Sequence, residues 1–121
     1  MTPAKTYKDL LVWQSAHRFV MEVYSVTQSF PKEEQFGLTS QLRRAAVSVP
    51  SNIVEGFGRW SNSEKLRFYN IAESSLHEAD YQLYLASELK FANTRNALSI
   101  AEETKRLLAA FIKSIRPKDA K

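Results

Sequence analysis

Leu38-Thr39-Ser40-Gln41-Leu42-Arg43-Arg44-Ala45-Ala46-Val47-Ser48-Val49-Pro50-Ser51-Asn52-Ile53-Val54-Glu55-Gly56-Phe57-Gly58 is the stretch on which the fold turns. Leu38, Leu42, Ala45, Val49, Ile53 and Gly56 recur at helical spacing, with Ala46 and Phe57 at the edge of the same apolar face. Pro50 sits inside that pattern. It removes a backbone donor and crowds the carbonyl of Ala46, which costs about 3 kcal/mol in a helix interior. The apolar phase nevertheless runs on across it, which favours one kinked helix over two short ones. A continuous helix here makes the chain a four-helix protein, whereas an outright break at Pro50 leaves a three-helix bundle.

Upstream, Val12, Ala16, Phe19, Val23 and Val26 form one stripe, widened by Trp13, Val20 and Tyr24, while Gln14, Arg18, Glu22 and Gln28 face away. This predicts a first helix over 8–29. Phe30-Pro31 stops it, because proline disfavours the α region for the residue before it, and 32–37 form a loop. Gly56 and Gly58 weaken the end of the second helix, over 38–58. Ser61-Asn62-Ser63-Glu64 is a capping-box pattern that opens a third helix over 62–89, with Tyr69, Ala72, Leu76, Ala79, Leu83 and Ala86 as its stripe. After a turn at 90–93, a fourth helix over 94–115 carries Ala97, Ala101, Thr104, Leu108, Phe111 and Ile115. Arg116-Pro117 ends it, and 118–121 are expected to fray. Helices of about 20–28 residues span about 30–42 Å, and short loops make neighbours antiparallel. The expectation is an all-α, up-down-up-down antiparallel four-helix bundle with a proline kink in helix two, a single domain over 1–121.

The 121 residues carry a net charge of +4, with acids and bases mixed along the chain and no block of like charge. A modest basic balance suits a polyanionic partner, since each neutralised phosphate releases condensed counterions. Equally, it serves solubility alone. No cysteine is present, which rules out disulfides and thiolate metal sites. The start, Met1-Thr2-Pro3-Ala4-Lys5, lacks the apolar region of a signal peptide, and no apolar run is long enough for a membrane span. These features predict a cytoplasmic protein without a membrane partner.

Residues suited to catalysis are few. His17 and His77 fall on different helices, and the side chains of His77, Glu78 and Asp80 splay apart at helical spacing. No metal-ligand motif, phosphate-cradling glycine loop or nucleophile elbow is present. Gly56-Phe57-Gly58 is a helix end rather than a nucleotide loop. The sequence therefore predicts a non-catalytic binding protein with no cofactor and no metal.

Two features point to what it binds. Ile71, Tyr81, Leu85 and Leu89 fall on the side of helix three away from its core stripe, and Val47 and Val54 flank the stripe of helix two. One core needs one apolar face per helix, so these six residues are the expected interface of a homo-oligomer. The second feature is basic. Arg43 and Arg44 are adjacent on helix two, and Arg59, Lys65 and Arg67 cluster at the turn into helix three. Guanidinium groups hold phosphates or carboxylates bidentately. On a helical wheel Arg43 and Arg44 lie about 100° and 200° from Leu42, so one contact cannot use both. Ser48, Ser51, Asn52 and Glu55 share a face along which Glu55 is placed to accept hydrogen bonds, and Glu55 also stands one turn before Arg59.

The segments Tyr7-Lys8-Asp9-Leu10-Leu11-Val12-Trp13-Gln14, Phe30-Pro31-Lys32-Glu33-Glu34-Gln35-Phe36-Gly37-Leu38, Gln41-Leu42-Arg43-Arg44-Ala45, Asn52-Ile53-Val54-Glu55-Gly56-Phe57-Gly58-Arg59 and Ser63-Glu64-Lys65-Leu66-Arg67-Phe68 carry a resemblance. They resemble the four-helix-bundle proteins encoded in intervening sequences of bacterial 23S ribosomal RNA genes. That resemblance implies a bundle assembling into a ring-like homopentamer. A related branch, the accessory variability determinant of diversity-generating retroelements, has a positively charged surface that binds nucleic acid and a reverse transcriptase. The present chain departs from that branch in its modest charge, with Glu73, Glu78 and Asp80 among the basic residues. The leading expectation is thus an oligomer that contacts RNA or DNA through backbone phosphates at Arg43, Arg44, Arg59, Lys65 and Arg67. Its rival is a protein-interaction scaffold whose arginines are internal bridges.

Overall fold

A computed structural model describes residues 3–115; the expected stop at Arg116-Pro117 and the 118–121 tail lie outside them. Four helices follow a short 3-10 turn at Tyr7–Asp9: α1 (Leu11–Thr27), α2 (Leu38–Phe57), α3 (Asn62–Glu88) and α4 (Arg95–Ile115). The described residues contain no strand, and none of their helices is long and apolar enough to cross a membrane.

Local chemistry sets the boundaries. The first helix starts at 11 and ends at 27, shorter than the expected 8–29. Thr6 and Asp9 form a capping box around the 3-10 turn: Lys8 N donates to Thr6 Oγ1 (3.2 Å), and Asp9 Oδ2 accepts from the amides of Lys5 (2.9 Å) and Thr6 (3.1 Å). Those amides, Thr6 first and Lys5 second, hold the Asp9 carboxyl below the ordinary carboxylate range. Leu10 then takes extended backbone, so α1 begins only after it. At its far end the Thr27 hydroxyl donates back to Val23 O (2.7 Å).

α2 stays one helix through the buried Pro50, as its unbroken apolar phase requires. Ser61 Oγ accepts from Glu64 N and caps α3. α3 closes in a Schellman turn, with Lys90 in the left-handed region at φ 62° and Phe91 N donating to Ala86 O (2.9 Å).

Contacts fix how the helices run. Between α2 and α3, Ser48 meets Ser75, Gly56 meets Tyr69, and Lys65 meets Phe57, so one number falls as the other rises. Asp80 with Lys105 and Tyr69 with Phe111 show the same antiparallel run between α3 and α4. α1 packs on both α2 and α4.

Every stripe residue expected on α2 and α3 is buried. On α4 the phase slips: Ile112 is buried, while Phe111 and Ile115 lie half-buried at the rim, as does Val26 on α1. Burial in this apolar setting pushes the Tyr69 phenol up to about 12.

Candidate nucleic-acid interface

The corner where α2 turns into α3 is built around a helix end. Gly58 closes α2 with its amide on Val54 O (3.3 Å), and the last carbonyls of α2 face Lys65. Lys65 Nζ donates to Gly56 O (3.2 Å) and Phe57 O (2.9 Å). An ammonium there satisfies orphan carbonyls and complements the negative end of the helix dipole. Lys65 is therefore a helix cap first, with little of its charge open to a ligand.

Arg59 and Arg67 are placed differently. Both guanidinium carbons stand over the Phe68 ring, at 4.7 and 4.8 Å from its centroid. Each has a carboxylate near it, Glu55 for Arg59 and Glu64 for Arg67, both at 3.7 Å. That separation is beyond a hydrogen bond. Exposed ion pairs of this kind contribute under about 1 kcal/mol, so both arginines keep donors for another acceptor.

Helix two separates its two arginines. Arg43 Nε donates to Thr27 Oγ1 (2.8 Å) and its guanidinium lies 4.5 Å from the centre of the Tyr24 ring, which fastens it to the end of α1. Arg44 is exposed, with no carboxylate within ion-pair distance among the described residues. It lines a groove of about 700 Å³ with Tyr24, Phe36, Ser40 and Val47. About 20 Å of helix separates Arg44 from Arg59. Of the five basic residues expected at the interface, the structure joins Arg59 and Arg67, leaves Arg44 apart, and ties Arg43 and Lys65 into the scaffold.

The serine-lined face of α2 also differs from expectation. Asn52 Nδ2 donates to Ser48 O (2.8 Å), Ser48 shares a hydrogen bond with Ser75 across the α2/α3 seam (2.8 Å), and Glu55 turns to Arg59 instead of accepting from this group.

Among the residues expected at a subunit interface, Val47, Ile71, Tyr81 and Leu89 are exposed. Val54 and Leu85 are half-buried, and Leu85 packs against the edge of the core, so the outer apolar face is narrower than the wheel suggests. Tyr84 joins that face, one helical step from Tyr81.

Two aromatic residues escaped the sequence reading. Trp60 is fully exposed (101%) in the α2–α3 turn, and Phe36 is 90% exposed in the turn before α2. The signal was there: large rings in turns, outside every apolar stripe. His17 stacks on Trp13 with ring centres 5.0 Å apart, and no group of three His, Asp or Glu side chains among the described residues is placed to hold a metal ion.

The family model for the 23S rRNA-intervening sequence protein matches residues 8–113. Among solved structures, the chain is similar to a protein of unknown function from the S23 ribosomal protein family of Bacteroides thetaiotaomicron. The TM-score is 0.78 at 20% identity, covering 85% of this chain and 99% of that one, a likeness of fold. Comparison with curated proteins gave no match. Four helices with the buried stripes described above, and a family match running from the 3-10 turn almost to the end of α4, place this chain in the 23S rRNA-intervening sequence protein family.

Proposed function

We propose that this chain is a non-catalytic, cytoplasmic subunit of a homo-oligomer that binds RNA or DNA through backbone phosphates. The observation carrying this is the pair Arg59 and Arg67, held over one ring at the α2–α3 corner with their donors unsaturated. Arg44, exposed on the same helix as Arg59's partner Glu55, is a second and separate phosphate contact. Arg43 and Lys65 contribute by fixing the helices that carry the others. The proposed subunit contact uses Val47, Ile71, Tyr81, Tyr84 and Leu89, with Val54 and Leu85 at its margin; the count of five subunits comes from the family resemblance alone.

An electrophoretic shift across a salt series tests the binding. Replacing Arg59 and Arg67 together by Ala should weaken binding to all sequences alike. The salt slope should fall by roughly 0.7 per lost phosphate contact on single strands, or 0.9 on duplex. Wild-type protein that binds no nucleic acid at about 50 mM salt rejects this function and leaves the protein-scaffold reading in its place. Light scattering tests assembly: Tyr81→Lys with Leu89→Lys should move the population toward a 13.9 kDa particle.

A further inference from the structure

Phosphate contacts and the bundle core both leave Trp60 without a use. It occupies the short turn between Gly58 and the α3 cap Ser61, fully exposed, directly after Arg59. Single exposed apolar side chains are ordinary. What sets this one apart is its place in the chain: the largest apolar side chain type directly follows Arg59, whose guanidinium shares the Phe68 ring with that of Arg67. The cation–π contacts restrict both arginines, so less freedom is lost when a phosphate arrives.

We propose that Trp60 is a stacking platform for an unpaired nucleobase, so that the corner formed by Arg59, Trp60, Arg67 and Phe68 takes single-stranded RNA or DNA in preference to duplex. This rests on the nucleic-acid reading above and specifies its ligand. A polyanion alone satisfies the arginines but offers nothing to an indole. A duplex satisfies the arginines too, yet keeps its base faces stacked inside. Only an unpaired strand presents a phosphate and an aromatic face together, the combination that sequence-tolerant single-strand binders use. Stacking of this kind needs a π face and no particular base, so the site is indifferent to sequence.

The indole reports its own contact. Trp13, half-buried between Tyr7 and His17, is the other tryptophan. Trp13→Phe isolates Trp60 emission; if that variant does not fold, the difference between wild type and Trp60→Phe gives the same signal. Oligo(U) and oligo(dT) should each quench Trp60 emission, and a duplex of equal length should quench it far less. Trp60→Ala should weaken single-strand affinity about tenfold or more while leaving duplex affinity within about twofold; Trp60→Phe should restore most of the loss. Single strands that bind Trp60→Ala as tightly as wild type, without quenching, overturn the stacking role while the phosphate reading stands. No binding of strand or duplex at about 50 mM salt overturns both. A fall in oligomer mass on Trp60→Ala also overturns it, assigning the indole to a contact between subunits.

Discussion

Two seams of this bundle do the same job with different chemistry. Between α2 and α3, the most extensively packed pair, the fit is one of shape. Gly56 has no side chain, so the Tyr69 ring lies directly on the α2 backbone; a Cβ on Gly56 would come within 2.4 Å of Tyr69 Cε1. Between α1 and α4 the fit is polar. The Ser15 and Thr104 hydroxyls share a buried hydrogen bond (2.7 Å), Glu103 accepts from Ser15 (3.3 Å), and Arg18 closes the group from the surface by pairing with Glu103. The α2/α3 seam has polar contacts too, all of them only part-buried: Ser48 pairs with Ser75 (2.8 Å) and Lys65 caps the carbonyls of Gly56 and Phe57. Arg59, Arg67 and Trp60, and the apolar residues Ile71, Tyr81 and Tyr84, all belong to α2, α3 or the turn joining them. α4 shows no large exposed hydrophobic residue among those described. The candidate binding surface sits on the half joined by the Gly56–Tyr69 contact.

Gly56→Ala is the strongest way to break this contrast. The Tyr69 ring also packs against Phe111 at 4.8 Å between centroids, so it has little room to retreat. Overpacking of this kind costs about 1–3 kcal/mol, and urea unfolding at fixed protein concentration should show that loss. Gly58→Ala is the internal control. The nearest atom to a Cβ there would stand at 3.8 Å and its φ is −82°, so Ala fits and should stabilise by up to about 1 kcal/mol. Equal losses at both glycines would mean that helix-end flexibility, not the Tyr69 contact, explains Gly56.

The polar seam should respond by coupling rather than by clash. Ser15→Ala frees the Thr104 hydroxyl to donate to Ile100 O, 2.8 Å away, and Thr104→Val leaves Ser15 donating to Glu103, so each should cost about 1 kcal/mol. The double variant removes both ends of the buried bond and should cost about 0.5–1 kcal/mol less than the sum. Strict additivity in a urea double-mutant cycle would show that the two hydroxyls do not act together. Arg18→Ala, at the exposed end of the group, should change stability by less than about 1 kcal/mol.

How far the sequence could be read follows the same division. Apolar periodicity named only buried residues for the stripes of α2 and α3, because size and spacing mark a core face, but it did not reach Thr39, Pro50 and Gln82, which are buried beside them. It even placed Gly56 in the core, though not the ring resting on it. The polar seam was hidden: Ser15 does not stand out in an apolar stripe, and its meaning depends on Thr104, far away in sequence. On α4, steps of three and four both fit helical spacing. The wheel therefore could not choose Ile112 over Phe111, whose bulk sits at the rim beside Tyr69. For the binding surface, composition found the basic residues but not their partners. Arg43 and Lys65 are held by groups on other elements, a hydroxyl at the end of α1 and the carbonyls that close α2. A helical wheel gives a side chain's direction and not what it meets. Trp60 lies in a turn, outside every helix face, so apolar periodicity carries no information about it.

The smallest effect belongs to the turn that joins the two halves. Lys90 adopts φ 62°, the only positive φ among the described residues, at the position of the Schellman turn that glycine usually fills. The turn is closed by Lys90 N donating to Ser87 O (3.0 Å) and Phe91 N to Ala86 O (2.9 Å), and Phe91 packs onto Phe30 at 5.7 Å between centroids. Those contacts hold the backbone in a conformation that costs a side-chain-bearing residue about 1–2 kcal/mol. Lys90 is exposed and makes no ion pair among the described residues, so nothing visible in its side chain offsets that strain. Lys90→Gly relieves it, while glycine's greater freedom in the unfolded chain takes part of the gain back. The net expectation is a stabilisation of about 0.5–1 kcal/mol, read as a higher urea midpoint at unchanged slope. Lys90→Ala separates backbone from charge: it keeps the strain and removes the ammonium, so it should leave stability nearly unchanged. If Lys90→Ala stabilises as much as Lys90→Gly, the effect is one of charge, and the turn between the two halves is not strained.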